Sequence, residues 1–221
     1  MASLAAERYM AGMAKSPERA NKFLLFLMIG MMAAVAVAIV TMWYVVSSGP
    51  RDPGYQSNVS VGGPFTLVDE TGATVTDRSY KGFYRLIYFG YTFCPDACPT
   101  ELQVMSQAIE TMGADGAKVQ PIFITIDPAR DTPKQLADYV KLFDKRLVGL
   151  SGTPEQIAQV AKAYKVYYAK AEASADKANY AMDHSSYVYL MDPDGRFMTV
   201  FPSDMDADKM AAEMRRYMKG A

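Results

Sequence analysis

Between Phe23 and Val46 the chain carries 24 successive residues without a charge, and nothing else in the sequence limits its architecture so strongly. At about 1.5 Å of rise per residue such a run makes a helix of roughly 36 Å, longer than the ~30 Å hydrocarbon core of a bilayer. It predicts a single membrane-spanning helix. Trp43 and Tyr44 stand near its far end, where amphipathic rings prefer the headgroup level, and Gly30 in mid-run is ordinary in a membrane helix. Upstream, Arg8, Lys15, Arg19 and Lys22 outweigh Glu7 and Glu18 for a local net of +2, whereas the immediate downstream flank offers only Arg51 and Asp52. The positive-inside rule then makes residues 1–22 a cytoplasmic head, residues 23–46 the anchor, and the remainder a periplasmic part of a single-pass protein of a bacterial inner membrane. A cleaved signal peptide fits less well, because the run exceeds the usual h-region of about 7–15 residues and no clear A-x-A site follows it. A transit peptide fits less well too, since the head carries acids and is not rich in Arg and Ser.

Residues 47–63 are rich in Ser, Gly, Pro and Asn without apolar periodicity, which suits a linker, and a folded domain is expected over residues 64–221. With 50% hydrophobic residues among 221, the chain fills one core and needs no second globular unit. Phe65–Val68 and Ala73–Val75 flank the turn Asp69-Glu70-Thr71-Gly72. Tyr84–Phe89 and Val119–Ile126 are apolar runs suited to buried strands, with a helix over Pro99–Met112 between them. Thr132-Pro133-Lys134-Gln135 and Thr153-Pro154-Glu155-Gln156 each put Thr at the N-cap, Pro at the first helical position and Gln at the capping-box position, so a helix starts at each. Val148–Leu150 is a short strand between them. Tyr187–Met191 and Phe197–Phe201 form a hairpin around Asp192-Pro193-Asp194-Gly195, and a last helix covers Asp206–Lys219. Ala169–Ala181 is Ala-rich and polar and suits a loop or a short helix equally. The order describes an α/β fold, a thioredoxin-like sandwich with a mixed central sheet.

A net charge of −1 gives no clustered basic surface, so nucleic acid is not an expected partner. The chain has two cysteines, Cys94 and Cys98, and a single histidine, His184. Cys94-Pro95-Asp96-Ala97-Cys98-Pro99 follows a strand and precedes a helix, a location that favours thiolates. Pro99 in the first turn would put Cys98 at or near the N-cap, where the dipole lowers a thiol pKa. Two idle buried cysteines are the bland alternative, but the flanking prolines and Asp96 argue for an exposed loop. Two thiolates can hold Cu(I), and an added imidazole gives a three-ligand set also able to hold Cu(II). Zinc would want a fourth ligand such as Asp96 or Asp183. His184 lies in Asp183-His184-Ser185-Ser186, and sequence alone does not bring it to the cysteines. Met105 and Met112 recur at a spacing of seven and read as core rather than ligands.

Tyr88-Phe89-Gly90-Tyr91-Thr92-Phe93-Cys94-Pro95-Asp96-Ala97-Cys98-Pro99, then Asp127-Pro128-Ala129-Arg130-Asp131-Thr132-Pro133, then Asp183-His184-Ser185, resemble the Sco/SenC copper chaperones from about Val61 to Phe201. The resemblance implies that Cys94, Cys98 and His184 ligate copper for the binuclear copper centre of cytochrome c oxidase subunit II. A copper donor or a thiol reductant would be a further partner. Phe93 stands where some relatives have histidine, and no ligand role is assigned to Arg130 or Asp131, which could face a partner or pair with each other.

Three functions share these residues. A copper-binding assembly factor would act stoichiometrically rather than as an enzyme. A thiol-disulfide oxidoreductase would reduce the partner subunit's cysteines before metal loading, although such reductases typically place two residues between their cysteines, not three as here. A redoxin-type peroxidase would use one low-pKa thiolate.

Overall fold

The computed structural model describes residues 17–47, 60–171 and 180–220. They fall in two compact units, Met1–Ser57 and Asn58–Ala221. Most of the expected head and linker, residues 1–16 and 48–59, lie outside the described residues.

The first unit is helix α1, Pro17–Ser47. Every side chain from Leu25 to Tyr44 is exposed. Phe26, Ile29, Val35 and Ile39 are among its large exposed apolar residues, which suits a segment whose solvent is lipid.

The second unit is built on a seven-stranded sheet in the order β2-β1-β5-β4-β3-β8-β9. Its strands are β1 (Thr66–Asp69), β2 (Thr74–Thr76), β3 (Tyr84–Gly90), β4 (Val119–Thr125), β5 (Val148–Ser151), β8 (Tyr187–Met191) and β9 (Phe197–Pro202). The β3–β4 and β4–β5 pairs are parallel and the others antiparallel, so the sheet is mixed as expected. Strands β3 and β4 are the central pair, and Leu86, Ile87, Tyr88, Phe89, Ile122, Phe123 and Ile124 are fully buried, as continuous apolar runs in parallel strands require. The helices are α2 (Ala97–Thr111), α3 (Pro133–Val140), α4 (Pro154–Tyr164) and α5 (Ala207–Lys219).

Local signals set most of these boundaries. The Thr132 and Thr153 side chains accept from the backbone N–H of Gln135 and Gln156, and Gln156 returns a capping-box bond to Thr153. Each such cap contributes about 1 kcal/mol. The β8–β9 turn is held by the Asp192 carboxylate, which accepts the backbone N–H of Asp194 at 2.9 Å and of Arg196 at 2.8 Å. Gly195 completes that turn at φ +87°. The folded unit starts slightly before Pro64, because Gly62 N–H already donates to Ala163 O at 2.9 Å.

A second, two-stranded ribbon stands apart from the main sheet. It pairs β6 (Tyr168–Lys170) with β7 (Met182–His184), antiparallel, with Tyr168 opposite His184. The Ala-rich stretch therefore begins in strand β6 and ends just before strand β7, and its middle, residues 172–179, lies outside the described residues.

Helix α2 packs against α5 and buries Cys98, Glu101, Leu102, Met105, Ala108 and Ile109, a helical stripe that contains one acid. Met105 and Met112 lie in the core. Glu101 is 3% exposed, and its Oε1 has no hydrogen-bond partner. Burial first, and then the Asp204 carboxylate, push its carboxyl from 4.5 up to about 7. The folded state thus holds that proton more tightly than the unfolded chain. The resulting stability is fully present below the unfolded value and is lost as pH rises through the folded one, up to ~3 kcal/mol. Urea unfolding of Glu101→Gln should therefore show a flatter pH profile between about 4.5 and about 7 than the unsubstituted protein. Parallel profiles would mean that the fold satisfies the carboxylate.

Candidate functional site

Strand β3 ends at Gly90 opposite Thr125 of β4, and Ile126 N–H extends the pairing to Gly90 O at 2.8 Å. Two loops therefore leave the same end of the sheet side by side. One carries Cys94 into α2, and the other is Asp127–Asp131. This carboxyl end of parallel strands is where open α/β sheets characteristically place their sites.

The loop of Cys94 turns at once, with Cys94 N–H donating to Tyr91 O at 3.2 Å. Asp96 is the N-cap of α2, but its side chain makes no capping bond. Instead Cys98 N–H, an otherwise unpaired donor of the first turn, donates to Cys94 Sγ at 3.4 Å. A sulfur thus does what a capping oxygen ordinarily does. The expected position of Cys98 near the N-cap is met, with Pro99 in the first turn. Helix α2 starts at Ala97, so Cys98 is the second helical residue and turns into the core, fully buried.

The expected lowered pKa accordingly belongs to the other cysteine. The Cys98 thiol, together with backbone N–H donors and the nearby His184, holds the half-exposed Cys94 sulfur at about 5, against the burial that opposes it. Cys98 is pushed up, because it keeps the proton it shares with Cys94 and is buried. The pair holds one thiolate and one thiol. Gly90 makes room for this, since a Cβ there would stand 2.8 Å from Cys98 Sγ and 2.9 Å from Phe123.

His184 closes the site from the β6–β7 ribbon. Its Nε2 lies 3.7 Å from Cys98 Sγ, and its Nδ1 lies 3.0 Å from Ser185 O. A carbonyl only accepts, so Nδ1 is the donor to Ser185 O, and Nε2 is the ring nitrogen that faces the sulfur. Tyr88 and Tyr91 pack edge-on against the imidazole, at centroid distances of 6.1 and 6.2 Å. Tyr88 also donates its hydroxyl to Cys98 Sγ at 3.8 Å.

The structure thus brings Cys94, Cys98 and His184 together. Among the described residues, no group of three or more His, Cys, Asp or Glu stands ready to hold a metal ion without adjustment. The donor chemistry nonetheless fits a soft ion. Metal–sulfur and metal–nitrogen bonds of about 2.3 and 2.0 Å meeting near 120° span an edge of roughly 3.7 Å, the observed Cys98–His184 separation. Cys94 is half-exposed, and its Sγ stands 3.4 Å from Cys98 N. Neither acid considered for a fourth ligand is placed for it: Asp96 is exposed at the helix start, and Asp183, next to His184 on a strand, points to the opposite face.

Asp127, Arg130 and Asp131 build the neighbouring loop. Arg130 does not pair with Asp131; its Nε donates to Asp127 Oδ2, and its Nη1 to Tyr180 O at 2.8 Å. The buried Asp131 carboxylate accepts Thr92 N–H at 3.0 Å, Thr92 Oγ1 at 2.6 Å and Thr125 Oγ1 at 2.5 Å. Burial pushes its carboxyl up despite these donors. Gly90, Tyr88, Tyr91, Thr92 and Tyr180 received no role from sequence. A glycine closing a buried strand was the one readable signal, since it marks close approach of another group.

The asymmetry of the thiols is measurable by alkylation of the reduced protein with iodoacetamide. Cys94 should react at a nearly constant rate from about pH 8 to about pH 6, where an ordinary thiol slows on the order of a hundredfold. The rate should fall only around pH 5. Cys98→Ala removes the donor and should move the inflection upward. An inflection at the ordinary thiol value in the unsubstituted protein would refute the assignment.

Comparison with known proteins places the chain in a family. A family described as SCO1/SenC matches residues 53–219. A SCO2-like protein of Rickettsia conorii is 41% identical over 161 residues, which are 73% of this chain and 78% of that protein. The mitochondrial SCO1 homolog of Homo sapiens is 43% identical over 161 residues, 72% of this chain and 53% of that one. Among solved structures, copper-bound ScoI of Bradyrhizobium japonicum is 47% identical with a TM-score of 0.65, covering 72% of this chain and 99% of that one. Copper-bound ScoI of Arabidopsis thaliana has a TM-score of 0.69 at 39% identity, covering 73% and 100%. On the family match and these relatives, the chain belongs to the SCO1/SenC family.

Proposed function

We propose that this membrane-anchored protein binds copper through Cys94, Cys98 and His184 and delivers it to the binuclear copper centre of cytochrome c oxidase subunit II. The observation that carries the reading is the convergence of one thiolate, one thiol and one imidazole nitrogen at the end of β3, with Cys98 Sγ and His184 Nε2 3.7 Å apart. Two sulfurs suit Cu(I), and the imidazole extends the set to Cu(II). Relatives at 47% and 39% identity crystallised with copper support it, and the family's known work in oxidase assembly supplies the partner. Copper is here the cargo. The Cys94 thiolate is already deprotonated and partly exposed, so it is the donor that first meets an incoming ion and last releases a departing one.

The same asymmetry favours one second reading. As a thiol-disulfide oxidoreductase, Cys94 thiolate would attack a disulfide of the partner subunit and release one partner thiolate. Cys98 would then displace the other, its proton passing to that departing thiolate, leaving a Cys94–Cys98 disulfide and a partner reduced by two electrons. His184 has no part in that exchange.

The full-length protein in mild detergent, titrated with Cu(I) and Cu(II), should take up one equivalent of either. Cys94→Ala and Cys98→Ala should abolish uptake, and His184→Ala should weaken Cu(II) by at least about tenfold while largely sparing Cu(I). Absence of binding by the reduced, unsubstituted protein would overturn the copper reading. Disulfide exchange undiminished in His184→Ala, without copper uptake, would establish the second.

The charge around the anchor supports a cytoplasmic N-terminus and a periplasmic domain. A membrane-impermeant maleimide applied to intact spheroplasts should therefore label Cys94, and Cys94→Ala should abolish the labelling. Labelling only after lysis would reverse the topology.

A further inference from the structure

The cysteines and the histidine belong to different pieces of the fold. Cys94 lies on the loop between β3 and α2 and Cys98 in the first turn of α2, whereas His184 ends β7, which among the described residues pairs only with β6. The ribbon's backbone link to the main sheet is Ser185–Ser186, which lead from β7 into β8, itself paired with β3. On its other side the ribbon is joined to the sheet end by side chains, and these complete the placing of the imidazole.

Those side chains converge on Arg130. Its guanidinium carbon lies 3.6 Å from the ring centroid of Tyr180, 4.8 Å from that of Phe93 and 5.7 Å from that of Tyr91. Tyr91 and Phe93 belong to the loop of Cys94, and Tyr180 leads into β7. The same fork donates to Asp127 through Nε and to the Tyr180 carbonyl through Nη1. Asp127 in turn accepts the Tyr180 hydroxyl at 2.7 Å, so Tyr180 is gripped at its backbone, ring face and hydroxyl by two residues of one loop. That loop is anchored to the cysteine loop by Asp131 through Thr92. The Tyr91 hydroxyl adds a bond from Met182 N–H at 3.3 Å. Nη2 of Arg130 is buried without a hydrogen-bond partner, and the surrounding aromatic faces compensate its charge.

We propose that Arg130, ion-paired with Asp127, is a positioning residue for His184: it joins the cysteine loop to the histidine ribbon and so sets the imidazole's distance from Cys98. The assignment rests on the copper reading for its purpose but not for its geometry. Lysine cannot replace the fork. It is a point charge without a planar face, and it cannot serve Asp127, the Tyr180 carbonyl and the aromatic rings at once.

The test uses the full-length protein in mild detergent, with Arg130→Lys, Tyr180→Phe and His184→Ala beside the unsubstituted chain. The chain has a single histidine, so selective histidine labelling gives one imidazole NMR signal. In the metal-free protein that signal should carry ring-current shifts from Tyr88 and Tyr91. In Arg130→Lys, with cooperative unfolding retained, it should move towards the position of a free histidine. Cu(II) affinity should fall about 10–100-fold, the usual effect of losing a support beyond the ligands, with a spectrum approaching that of His184→Ala. Cu(I) affinity should change little. An unmoved imidazole signal in folded Arg130→Lys would overturn the proposal. If that variant does not fold, Tyr180→Phe decides, since it removes only the hydroxyl bond to Asp127: a shifted imidazole signal upholds the proposal and an unmoved one overturns it. Failure of the unsubstituted protein to bind copper would refute the copper reading while the imidazole signal still tested the positioning.

Discussion

Asp131 is where the two halves of this site are tied to the sheet. Its carboxylate is fully buried and accepts three hydrogen bonds, two from Thr92 and one from Thr125. Thr125 closes β4 and Thr92 stands just beyond β3, so one side chain fastens together the exits of two parallel strands. A buried carboxylate left without donors costs several kcal/mol, so this loop conformation holds only while all three donors are in place. The main-chain carbonyl of Asp131 also accepts Ser151 Oγ at 3.1 Å, which brings β5 into the same knot. Everything that shapes the thiol pair on one side and the histidine ribbon on the other hangs from this point.

Seen from that knot, the electrostatics of the cysteines follow from position. A helix N-terminus offers unpaired N–H donors, and the group nearest to them keeps its negative charge. Here that group is Cys94, because the chain bends back over the first turn, while Cys98 is drawn under Gly90 into the core. Charge is thus concentrated on the exposed sulfur and the proton on the buried one. An arriving cation then meets a ready anion at the surface and must displace only one proton to gain a second sulfur. The same distribution would suit a nucleophile, which is why the histidine, and not the cysteines, separates metal transfer from disulfide reduction.

Sequence disclosed what is encoded locally. The anchor follows from a run of uncharged residues. The starts of α3 and α4 follow from Thr132 and Thr153, whose caps form within three residues. The buried strands β3 and β4 follow from apolar runs whose register in the parallel pair leaves both faces covered. Contacts that span the chain were not readable. Pro99 did place Cys98 near the helix cap, but which of the two cysteines would keep the charge was not readable from it. The pairing of Arg130 with Asp127 rather than Asp131 depends on which acid the Thr92 loop claims first, a competition settled in tertiary structure. The β6–β7 ribbon combines two three-residue strands with little apolar patterning, too short for a periodic signal. His184 came to the site on resemblance, since nothing in the spacing of a residue 86 positions from Cys98 could place it there.

This division of labour between a rigid base and a separately held arm has an energetic logic for a carrier. A resident metal is best held by ligands on rigid elements, where every donor is fixed before the ion arrives. A carrier must also let go. Strand β3 and helix α2 hold Cys98 in the most buried part of the core, so its geometry costs much to change, while Cys94 stands half-exposed on the loop between them. The imidazole hangs on a ribbon joined to that core by the short link into β8, a few hydrogen bonds and the packing of Tyr180 on Arg130. Loss of the third ligand leaves two sulfurs, a set that favours Cu(I) over Cu(II). Under the proposed copper reading, the partition of the three residues between sheet and ribbon would link the affinity of the site to the oxidation state of the copper, and both to how firmly one short ribbon is held.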